Sequence, residues 1–284
     1  MHSDDATPTM GEVEALMLEL VLLDTGETGS AAAYHLSAGG SRVRAELALY
    51  AGRALALPSR GAVAIAAACE LLHNASLVHD DLQDRDACRR GKPAVWRRYG
   101  DAAAICVGDL LLSAAYGALA GTGAVAAQAM TRMHRRVAAV IRGQSDDLTL
   151  QGSTLDSLET YERVAAGKSA PLLILPIELS LLLAGREDAI DAAVAAGSLF
   201  AIGYQMDDDL QDLERDGLNE ELNVVAVLAA AGEPLPRQRA RALAMQRFRQ
   251  AHAAAALLPS GCGERLGLHA LGRAEKLSGV AEMA

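Results

Sequence analysis

Apolar residues recur along most of the chain at the spacing that places them on one face of an α-helix. Glycine and proline interrupt this pattern at short intervals, and such residues end helices or form turns. Long alternating runs of β-branched residues, which would indicate strands, are missing. The periodic segments predict helices over residues 10–24, 41–57, 60–82, 101–120, 124–150, 155–165, 168–184, 188–212, 219–231, 236–257 and 262–278.

Composition favours the same class of fold. Hydrophobic residues make up 51% of the 284 positions and aromatic residues only 3%, and alanine and leucine, both strong helix formers, dominate the apolar share. No proline- or serine-rich linker and no shift in composition marks a domain boundary. We therefore expect an all-α protein with a single domain over residues 1–284, a bundle of about ten helices in which residues 1–9 are disordered.

Charge and cysteine usage bear on the expected binding partners and the expected cellular compartment. A formal net charge of -10 gives no electrostatic footprint for nucleic acid or an anionic membrane surface. The four cysteines form no CxxC pair, and the acidic N-terminus lacks the features of a signal peptide. The most apolar run, residues 171–185, is interrupted by Pro176 and Glu178 and is too short to span a bilayer. We expect a cytoplasmic protein without nucleic-acid binding or stable membrane insertion.

Candidate chemistry concentrates in a pentapeptide that occurs twice, as Asp80-Asp81-Leu82-Gln83-Asp84 and as Asp208-Asp209-Leu210-Gln211-Asp212. On a helix, the first and third carboxylates of each copy lie one turn apart on one face, where they repel. Such a cluster must be solvated or neutralised by cations, and a set of oxygen ligands suits a hard ion such as magnesium. A single copy would more often be a solvated helix end, but two copies favour a metal site.

Three basic turns accompany the acidic motifs: Arg89-Arg90-Gly91-Lys92-Pro93, Gly39-Gly40-Ser41-Arg42-Val43-Arg44 and Gly167-Lys168-Ser169. Each turn alone could be an ordinary solvated loop or helix end. Together with the acidic motifs and the aliphatic composition, however, they suit a diphosphate bound by metal ions at the mouth of a central apolar pocket.

In these motifs the chain resembles the trans-isoprenyl diphosphate synthase (polyprenyl synthetase) family. The members of this family are all-α enzymes that lengthen allylic diphosphates with isopentenyl diphosphate. The resemblance runs from about Gly39 to Asp212 and rests on four segments. These are His73 to Pro93, which contains the first acidic motif and the arginine pair, Gly143 to Leu148, Gly167 to Ser169, and Tyr204 to Asp212. The resemblance implies the isoprenoid synthase type of helical bundle and a homodimer.

The resemblance also implies roles for individual residues. Metal ligands would be Asp80, Asp84 and Asp208, with Asp81, Asp209 and Asp212 as outer or alternate ligands. Three magnesium ions are expected in all. The allylic diphosphate would be bound by Arg89, Lys168, Ser169 and Gln205, and isopentenyl diphosphate by Arg44, His73 and Arg90. The residues closest to catalysis would be Asp80, Asp81, Asp84, Lys168 and Asp208.

The implied reaction ionises the allylic ester, and the isopentenyl double bond attacks the resulting cation before a proton is lost. Two lysines that the family uses for phosphate binding are absent, since Ser41 and Glu221 occupy their positions. We expect Arg42 or Arg215 to replace them. The chain also has Ala45 where the family has proline.

Two other functions remain open. A terpene cyclase on the same fold would ionise a prenyl diphosphate without isopentenyl diphosphate, although it would have little use for Arg44, His73 and Arg90 together. A non-catalytic partner subunit of a synthase would have no reason to retain two acidic motifs. Glu70-Leu71-Leu72-His73 has the Glu-x-x-His spacing of di-iron bundles but lacks a second copy, and no further histidine set supports His79-Asp80 as a phosphohydrolase pair.

Small residues precede the first motif and bear on product length. Ala75 and Ser76 lie one turn before Asp80, and Leu72 and Ala68 lie deeper. Without a bulky aromatic residue there, we expect a product longer than C15, with C20 (geranylgeranyl diphosphate) favoured. The facing helix would limit the chain at Leu112 or Tyr116.

Overall fold

The structure is a computed structural model that describes residues 7–23, 26–150, 157–215 and 223–281. Within these ranges, the side chains of residues 146–150, 168–169, 212–215 and 280–281 lie outside the described part.

Helices account for almost all regular structure in the described residues, as the sequence predicts. The helices are α1 (Met10–Val21), α2 (Glu27–Leu36), α3 (Val43–Ala54), α4 (Ser59–Gln83), α5 (Val95–Tyr99), α6 (Asp101–Ala118), α7 (Ala126–Leu150), α8 (Leu158–Leu183), α9 (Ile190–Arg215), α10 (Val224–Ala230), α11 (Pro236–Ala256) and α12 (Glu264–Ala281). Strands β1 (Cys88–Arg89) and β2 (Lys92–Pro93) form an antiparallel hairpin between α4 and α5.

The chain divides into two compact units. The first comprises Met1–Arg132 and Leu179–Arg186, and the second comprises Met133–Glu178 and Glu187–Ala284. Each unit carries one of the two acidic motifs. The single domain expected over residues 1–284 stays a prediction.

Helix α4 forms the centre of the first unit, where it packs against α1, α3 and α6. Every residue from Gly61 to Leu72 is buried. Many of these residues are alanines, whose short side chains allow neighbouring helices to approach closely on several sides. The C-terminal end of this rigid helix carries the first acidic motif.

Helix α11 has the corresponding position in the second unit, where it packs against α9 and α12. The rings of Phe200 and Phe248 meet edge to face at 5.6 Å between centroids. A Cβ on Gly203 of α9 would lie 3.1 Å from the Phe248 ring, so the glycine allows the two helices to pack closely. This packing fixes α9, which carries the second acidic motif.

Local sequence signals set several helix ends. The hydroxyl of Thr9 accepts a hydrogen bond from Glu12 N, and the Glu12 carboxylate accepts one from Thr9 N, which completes a capping box at the start of α1. The disorder expected for residues 1–9 therefore does not include Thr9, whereas residues 1–6 lie outside the described part. Pro236 is the first residue of α11, a position that needs no backbone N–H donor.

The sequence prediction missed α2, α5 and the hairpin. It treated Gly26 and Gly29 as helix breakers, but Gly26 caps the N-terminus of α2 and Gly29 is buried inside it. Residues predicted as two helices, 155–165 and 168–184, form the single element α8, which bends by 53° between its two parts. Pro171 explains such a bend because it cannot donate to the carbonyl group of Gly167.

Three helical stretches of the described chain are long and apolar enough to cross a membrane, judged by length and composition: Ser59–Gln83, Asp101–Ser145 and Glu187–Gln211. A bent pair in α8 would make four. Of the apolar windows in the three stretches, 83%, 44% and 56% respectively are buried inside the protein. The first stretch thus uses its apolar surface in the core, and the expected lack of membrane insertion stays a prediction.

A buried histidine links α2 to α4. Nε2 of His35 lies 3.1 Å from Oδ1 of Asn74, and Nδ2 of Asn74 donates to the Glu70 carbonyl oxygen. Burial lowers the pKa of His35 from 6.5 to about 4, and the charge of Arg90 adds to this effect, while the hydrogen bond to Asn74 opposes it.

This depressed pKa predicts acid sensitivity. Between about pH 6.5 and pH 4, His35 is protonated in the unfolded chain but neutral in the native protein. The free energy of unfolding therefore decreases as the pH falls through this window. In the His35→Gln variant, we expect the free energy of unfolding to depend less steeply on pH. The slope should decrease by at most ~1.4 kcal/mol per pH unit, which corresponds to one proton. Urea unfolding across this window measures it; identical slopes for both proteins would contradict the assignment.

Candidate active site

The first acidic motif lies at the C-terminal end of α4. Asp84 caps the helix, and its backbone N–H donates to the carbonyl oxygen of Asp80 at 2.8 Å. Asp80 is half-buried and Asp84 is exposed. The negative end of the helix dipole adds to the repulsion between these carboxylates. This end of α4 therefore favours cations.

Asp81 differs from its two neighbours because it is only 1% exposed. Its Oδ1 accepts a hydrogen bond from Nε of Arg89 at 2.7 Å, and Nη2 of Arg89 donates to the same oxygen. The bond to Asp81 raises the pKa of Arg89, and burial raises the pKa of Asp81 against the opposing effect of Arg89. The buried Oδ2 of Asp81 has no hydrogen-bond partner among the described residues.

Arg90 is held against the loop that precedes α3. Its Nη1 donates to the carbonyl oxygen of Gly39. A Cβ on Gly40 would lie 2.5 Å from Cζ of Arg90, and Gly40 has a φ of +134°, which other residues rarely adopt. The glycine at position 40 thus leaves space for the Arg90 guanidinium.

Helix α2 anchors the rest of the hairpin. The Tyr34 hydroxyl donates to the carbonyl oxygen of Pro93 at 2.9 Å, and Nζ of Lys92 donates to the carbonyl oxygen of Ser37 at 3.1 Å. The helix that the sequence analysis missed therefore positions the arginine pair.

The three side chains expected to bind isopentenyl diphosphate share one electrostatic environment. Burial, together with the charges of Arg44 and Arg90, lowers the pKa of His73 to about 2. His73 is therefore neutral at physiological pH, so the two arginines supply the positive charge. A diphosphate is the kind of anion that such a pair binds.

Arg42 does not replace the missing lysine, contrary to expectation. Its side chain is 10% exposed, and Nε donates to Glu14 at 3.2 Å while Nη2 donates to the Leu36 carbonyl oxygen at 3.1 Å. Glu70, whose Oε1 accepts from Ala45 N at 3.0 Å, lies 3.9 Å from Arg42. Arg42 thus fastens the start of α3.

Glu70 and His79, which belong to the two alternative hypotheses, have structural contacts. In the Glu-x-x-His segment, Glu70 caps α3. His79 packs against Gly108 of α6, with its Nε2 at 3.8 Å from Asp109.

The second acidic motif lies on α9. Asp208 is half-buried, whereas Asp207 and Asp209 are 6% and 4% exposed. Asp207 accepts a hydrogen bond from Nη1 of Arg273 at 2.7 Å, and Arg273 also lies 4.4 Å from the ring centroid of Tyr204. These contacts hold α12 against α9.

Asp209 joins three helices. Its Oδ2 accepts hydrogen bonds from the Tyr161 hydroxyl at 2.8 Å and from the backbone N–H of Val224 at 2.7 Å. Its Oδ1 accepts from Nε2 of Gln205 at 2.9 Å. Gln205, expected to bind the allylic diphosphate, thus also supports this carboxylate.

Several predicted site residues lie outside the described side chains or segments. Lys168 and Ser169 have their backbone in α8 and Asp212 has its backbone in α9, but their side chains are not among those described. The same holds for the proposed substitute Arg215, and Glu221 lies outside the described residues.

The described acidic residues fit magnesium only in part. In the described residues, no three His, Cys, Asp or Glu side chains come together as a complete metal site. Magnesium, however, commonly uses one or two carboxylates together with water and substrate phosphates. Asp80 with Asp84, and Asp208, have the oxygen chemistry and the exposure for such a site.

A cavity of about 520 Å³ lies at the other end of α4. Leu16, Leu20, Ser59, Arg60, Val63 and Ala64 contribute to its lining. Ala64 precedes Asp80 by sixteen residues, or about 24 Å along the helix. This cavity is therefore distant from the first acidic motif.

Sequence reasoning missed Tyr161, Tyr34 and Asn74. Tyr161 lies seven residues before Lys168 in the sequence, and this proximity was the only signal that the sequence offered for it. Tyr34 and Asn74 act through partners distant in sequence, which no local pattern indicates.

These features agree with the comparisons with known proteins. The sequence model of the polyprenyl synthetase family matches residues 27–223. The chain belongs to this family, in which magnesium dependence is general.

A (2E,6E)-farnesyl diphosphate synthase from Mycobacterium tuberculosis is 36% identical over 173 residues, which cover 60% of this chain and 48% of that protein. A geranylgeranyl diphosphate synthase from Methanosarcina mazei is 31% identical over 215 residues, 74% of this chain and 66% of that protein. The matched region thus spans about half the length of the Mycobacterium relative.

The fold is also that of solved structures. The crystal structure of a decaprenyl diphosphate synthase from Rhodobacter capsulatus has a TM-score of 0.83 at 24% identity and covers 94% of this chain and 96% of that chain. The predicted isoprenoid synthase fold is confirmed.

The close contact at Gly40 predicts a specific defect. Gly40→Ala should displace the Arg90 guanidinium and weaken magnesium-dependent binding of inorganic diphosphate by about tenfold, the effect of one charge-assisted hydrogen bond. Gly39→Ala is the matched control, because Gly39 also has a positive φ but no neighbour within 4 Å of its Cβ position. Calorimetry measures both, and equal effects would attribute the defect to backbone strain.

Proposed function

We propose that this protein is a magnesium-dependent prenyltransferase that condenses an allylic prenyl diphosphate with isopentenyl diphosphate to give a polyprenyl diphosphate. The main support is the environment shared by Arg44, His73 and Arg90 in the unit that also carries Asp80 and Asp84. A second phosphate-binding group beside an acidic motif suits an enzyme with two diphosphate substrates. Relatives named as farnesyl, geranylgeranyl and octaprenyl diphosphate synthases support the same class of reaction.

In the proposed reaction, the bond between the allylic carbon and the diphosphate oxygen breaks, and diphosphate leaves with the electron pair. The double bond of isopentenyl diphosphate attacks the cation, which forms the head-to-tail 1'-4 carbon–carbon bond, and a proton then passes to the departing diphosphate. Magnesium, proposed as three ions, would neutralise charge on the leaving group.

The protein's residues orient and stabilise the reactants. Asp80, Asp84 and Asp208 would bind the metal, while Arg89 and Lys168 would stabilise the charge that develops on the allylic diphosphate. Arg44 and Arg90 would hold isopentenyl diphosphate, beside a His73 that is already neutral and does not need to release a proton.

Separate substrate combinations test this function. Dimethylallyl, geranyl or farnesyl diphosphate is incubated with magnesium, with and without isopentenyl diphosphate, and the products are analysed by mass spectrometry. Longer diphosphates that form only with isopentenyl diphosphate support the proposal. Hydrocarbons or alcohols formed without it would indicate a terpene cyclase, and no turnover of any allylic substrate would favour a non-catalytic partner subunit.

The acidic motifs give a sharper prediction. Asp80→Ala and Asp208→Ala should each lower turnover by about a hundredfold or more, because each removes a ligand of the charge-neutralising metal. Each variant should still fold, which thermal unfolding checks. Asp191→Ala, an exposed aspartate at the start of α9, is the control. Unfolding of both motif variants would mean that these aspartates are structural.

Product length can be tested at two adjacent positions of α4. Ala75 is 3% exposed and Ser76 is half-buried, so a larger residue at 75 enters an enclosed space whereas one at 76 meets a more open surface. We expect a C20 product from the native protein and shorter products from Ala75→Phe and Ser76→Phe. Chromatography gives the product lengths of the native protein and of both variants, and thermal unfolding gives their stabilities. A destabilised Ala75→Phe with native product length would place Ala75 in the core only.

We also propose a cytoplasmic homodimer that does not insert stably into membranes. Helix α6 has exposed apolar surface, with Ile105 49% exposed, which a second copy could cover. Light scattering should give twice the mass of one chain.

A further inference from the structure

Cations and aromatic rings gather around the hairpin and α5. The segment 85–99 contains six of the 26 lysine and arginine residues of the chain but only one of its 36 aspartate and glutamate residues. A chain with a net charge of -10 therefore has a locally positive segment. The exposed or half-buried side chains that form the basic-aromatic surface are Tyr34, Lys92, Trp96, Arg97, Arg98 and Tyr99.

Tyr34 joins the groups of this surface. Cζ of Arg98 lies 4.2 Å and Nζ of Lys92 lies 5.7 Å from the centroid of the Tyr34 ring. The Tyr99 ring meets the Tyr34 ring edge to face at 5.6 Å between centroids. The charges of Arg98 and Lys92 are thus at most about 10 Å apart, which is the Debye length at moderate salt, so an anionic surface would interact with both together.

Three cations of this surface have no acidic partner. Nζ of Lys92 donates to the carbonyl oxygen and to the hydroxyl of Ser37, at 3.1 and 3.2 Å. Neither Lys92 nor Arg98 forms an ion pair with a described residue, and the Arg97 side chain forms neither an ion pair nor a hydrogen bond with one. Their positive charges therefore remain uncompensated within this part of the protein.

The aspartates of this region are bound to other arginines. Asp101 pairs with Arg85 at 2.9 Å, and Asp86 lies 3.5 Å from Nη2 of Arg89. Each aspartate offsets the charge of its own arginine. The positive charge of the basic-aromatic surface is therefore that of its three other cations.

The only tryptophan of the chain lies on the same surface. The Trp96 side chain is half-buried, and its Nε1 donates to the carbonyl oxygen of Asp86 at 2.7 Å. Tryptophan and tyrosine favour the headgroup level of a bilayer, and lysine and arginine are attracted by anionic lipids. The composition of this surface suits contact with a bilayer that contains anionic phospholipids.

The ring contacts argue against single-stranded nucleic acid, which also binds aromatic and basic surfaces by stacking its bases on exposed rings. Cζ of Arg98 lies over the Tyr34 ring, and Cζ of Arg85 lies 5.3 Å from the centroid of the Trp96 ring. A base could stack there only after displacing these guanidinium groups. Lipid headgroups need no stacking and can interact with the cations as they stand.

We propose that the basic-aromatic surface docks this protein reversibly on the headgroups of an anionic phospholipid bilayer, without insertion of a helix. The inference goes beyond the proposed function and does not depend on it, because docking requires neither magnesium nor turnover. The hairpin of this surface also carries Arg89 and Arg90, which are expected to bind the diphosphates. Docking would bring these arginines near a bilayer, in which a product with a long apolar chain dissolves.

Vesicle binding tests the proposal. Vesicles of phosphatidylcholine alone are compared with equimolar phosphatidylcholine and phosphatidylglycerol, and sedimentation gives the partition coefficient at low and high salt. EDTA is present so that metal ions do not bridge the acidic motifs and the lipid phosphates. Because Trp96 is the only tryptophan, quenching of its fluorescence by acrylamide, an uncharged quencher, reports contact at this surface.

We expect binding to the anionic vesicles only, weaker at high salt, with Trp96 shielded from acrylamide. The double variant Arg97→Gln/Arg98→Gln should lower the partition coefficient by about 25-fold, since each cation near an anionic surface contributes about fivefold. The single variant Arg97→Gln should lower it by about fivefold. Because the Arg97 side chain has no hydrogen bond or ion pair with a described residue, this variant provides the test if loss of Arg98 disturbs Tyr34.

The matched control is the double variant Arg53→Gln/Arg60→Gln, which changes the net charge by the same amount at two exposed arginines. Arg60 precedes Gln83, the last residue of α4, by 23 residues, or about 34 Å along the helix. Arg53 lies near the same end of α4, since a Cβ on Gly52 would lie 2.8 Å from Cβ of Ala62. The control should bind vesicles within about twofold of the native protein.

Three outcomes would overturn the inference. Equal losses in the two double variants would mean that only the net charge matters. Vesicle binding that leaves Trp96 fully open to acrylamide would place the contact elsewhere on the protein. Absence of binding to anionic vesicles would exclude docking, and retention on heparin in that case would assign the surface to a soluble polyanion. None of these measurements involves turnover, so each outcome leaves the proposed function unaffected.

Discussion

Repulsion among carboxylates is the constraint on which the site depends. The first motif places three aspartates on the last turn of α4, where the helix dipole is also negative. Asp81 is bound by Arg89, whereas Asp80 is half-buried and Asp84 is exposed. A helix end of this kind favours bound cations. In the proposed reaction, the metal ions that neutralise the diphosphate would also relieve the repulsion within the acidic motif.

The rigidity of the surrounding helices makes that arrangement useful. Helix α4 is buried over several turns before the motif, so the carboxylates extend from a fixed support. Buried carboxylates elsewhere have structural partners, as Glu70 has at the start of α3 and Asp207 has in Arg273. The acidic groups therefore divide into buried ones that hold elements together and more exposed ones that remain accessible to ligands.

Much of the fold could be predicted from periodicity. Long helices such as α4, α9 and α11 were found within a few residues because an apolar face and clear end signals occur together. Helix α2 was missed because Gly26 and Gly29 resemble breakers in isolation, while tertiary packing buries Gly29 inside a helix. The expectation for Arg42 failed for a similar reason, since its partners Glu14 and Glu70 are distant along the chain.

The sequence by itself determined the helical class, both acidic motifs, the basic turns and the family resemblance, because these depend on composition and on short spacing. The resemblance implied an outer or alternate role for the second aspartate of each pentapeptide, but the sequence did not show which groups bind it. Only the tertiary structure decided that Asp81 and Asp209 are buried. The hydrogen bonds of Asp81 require the turn that brings Arg89 back to α4. One of the hydrogen bonds of Asp209 comes from Tyr161, which is 48 residues away in the sequence. Burial and hydrogen bonding come from such distant partners, and they separate a carboxylate that holds the fold from one that faces a ligand.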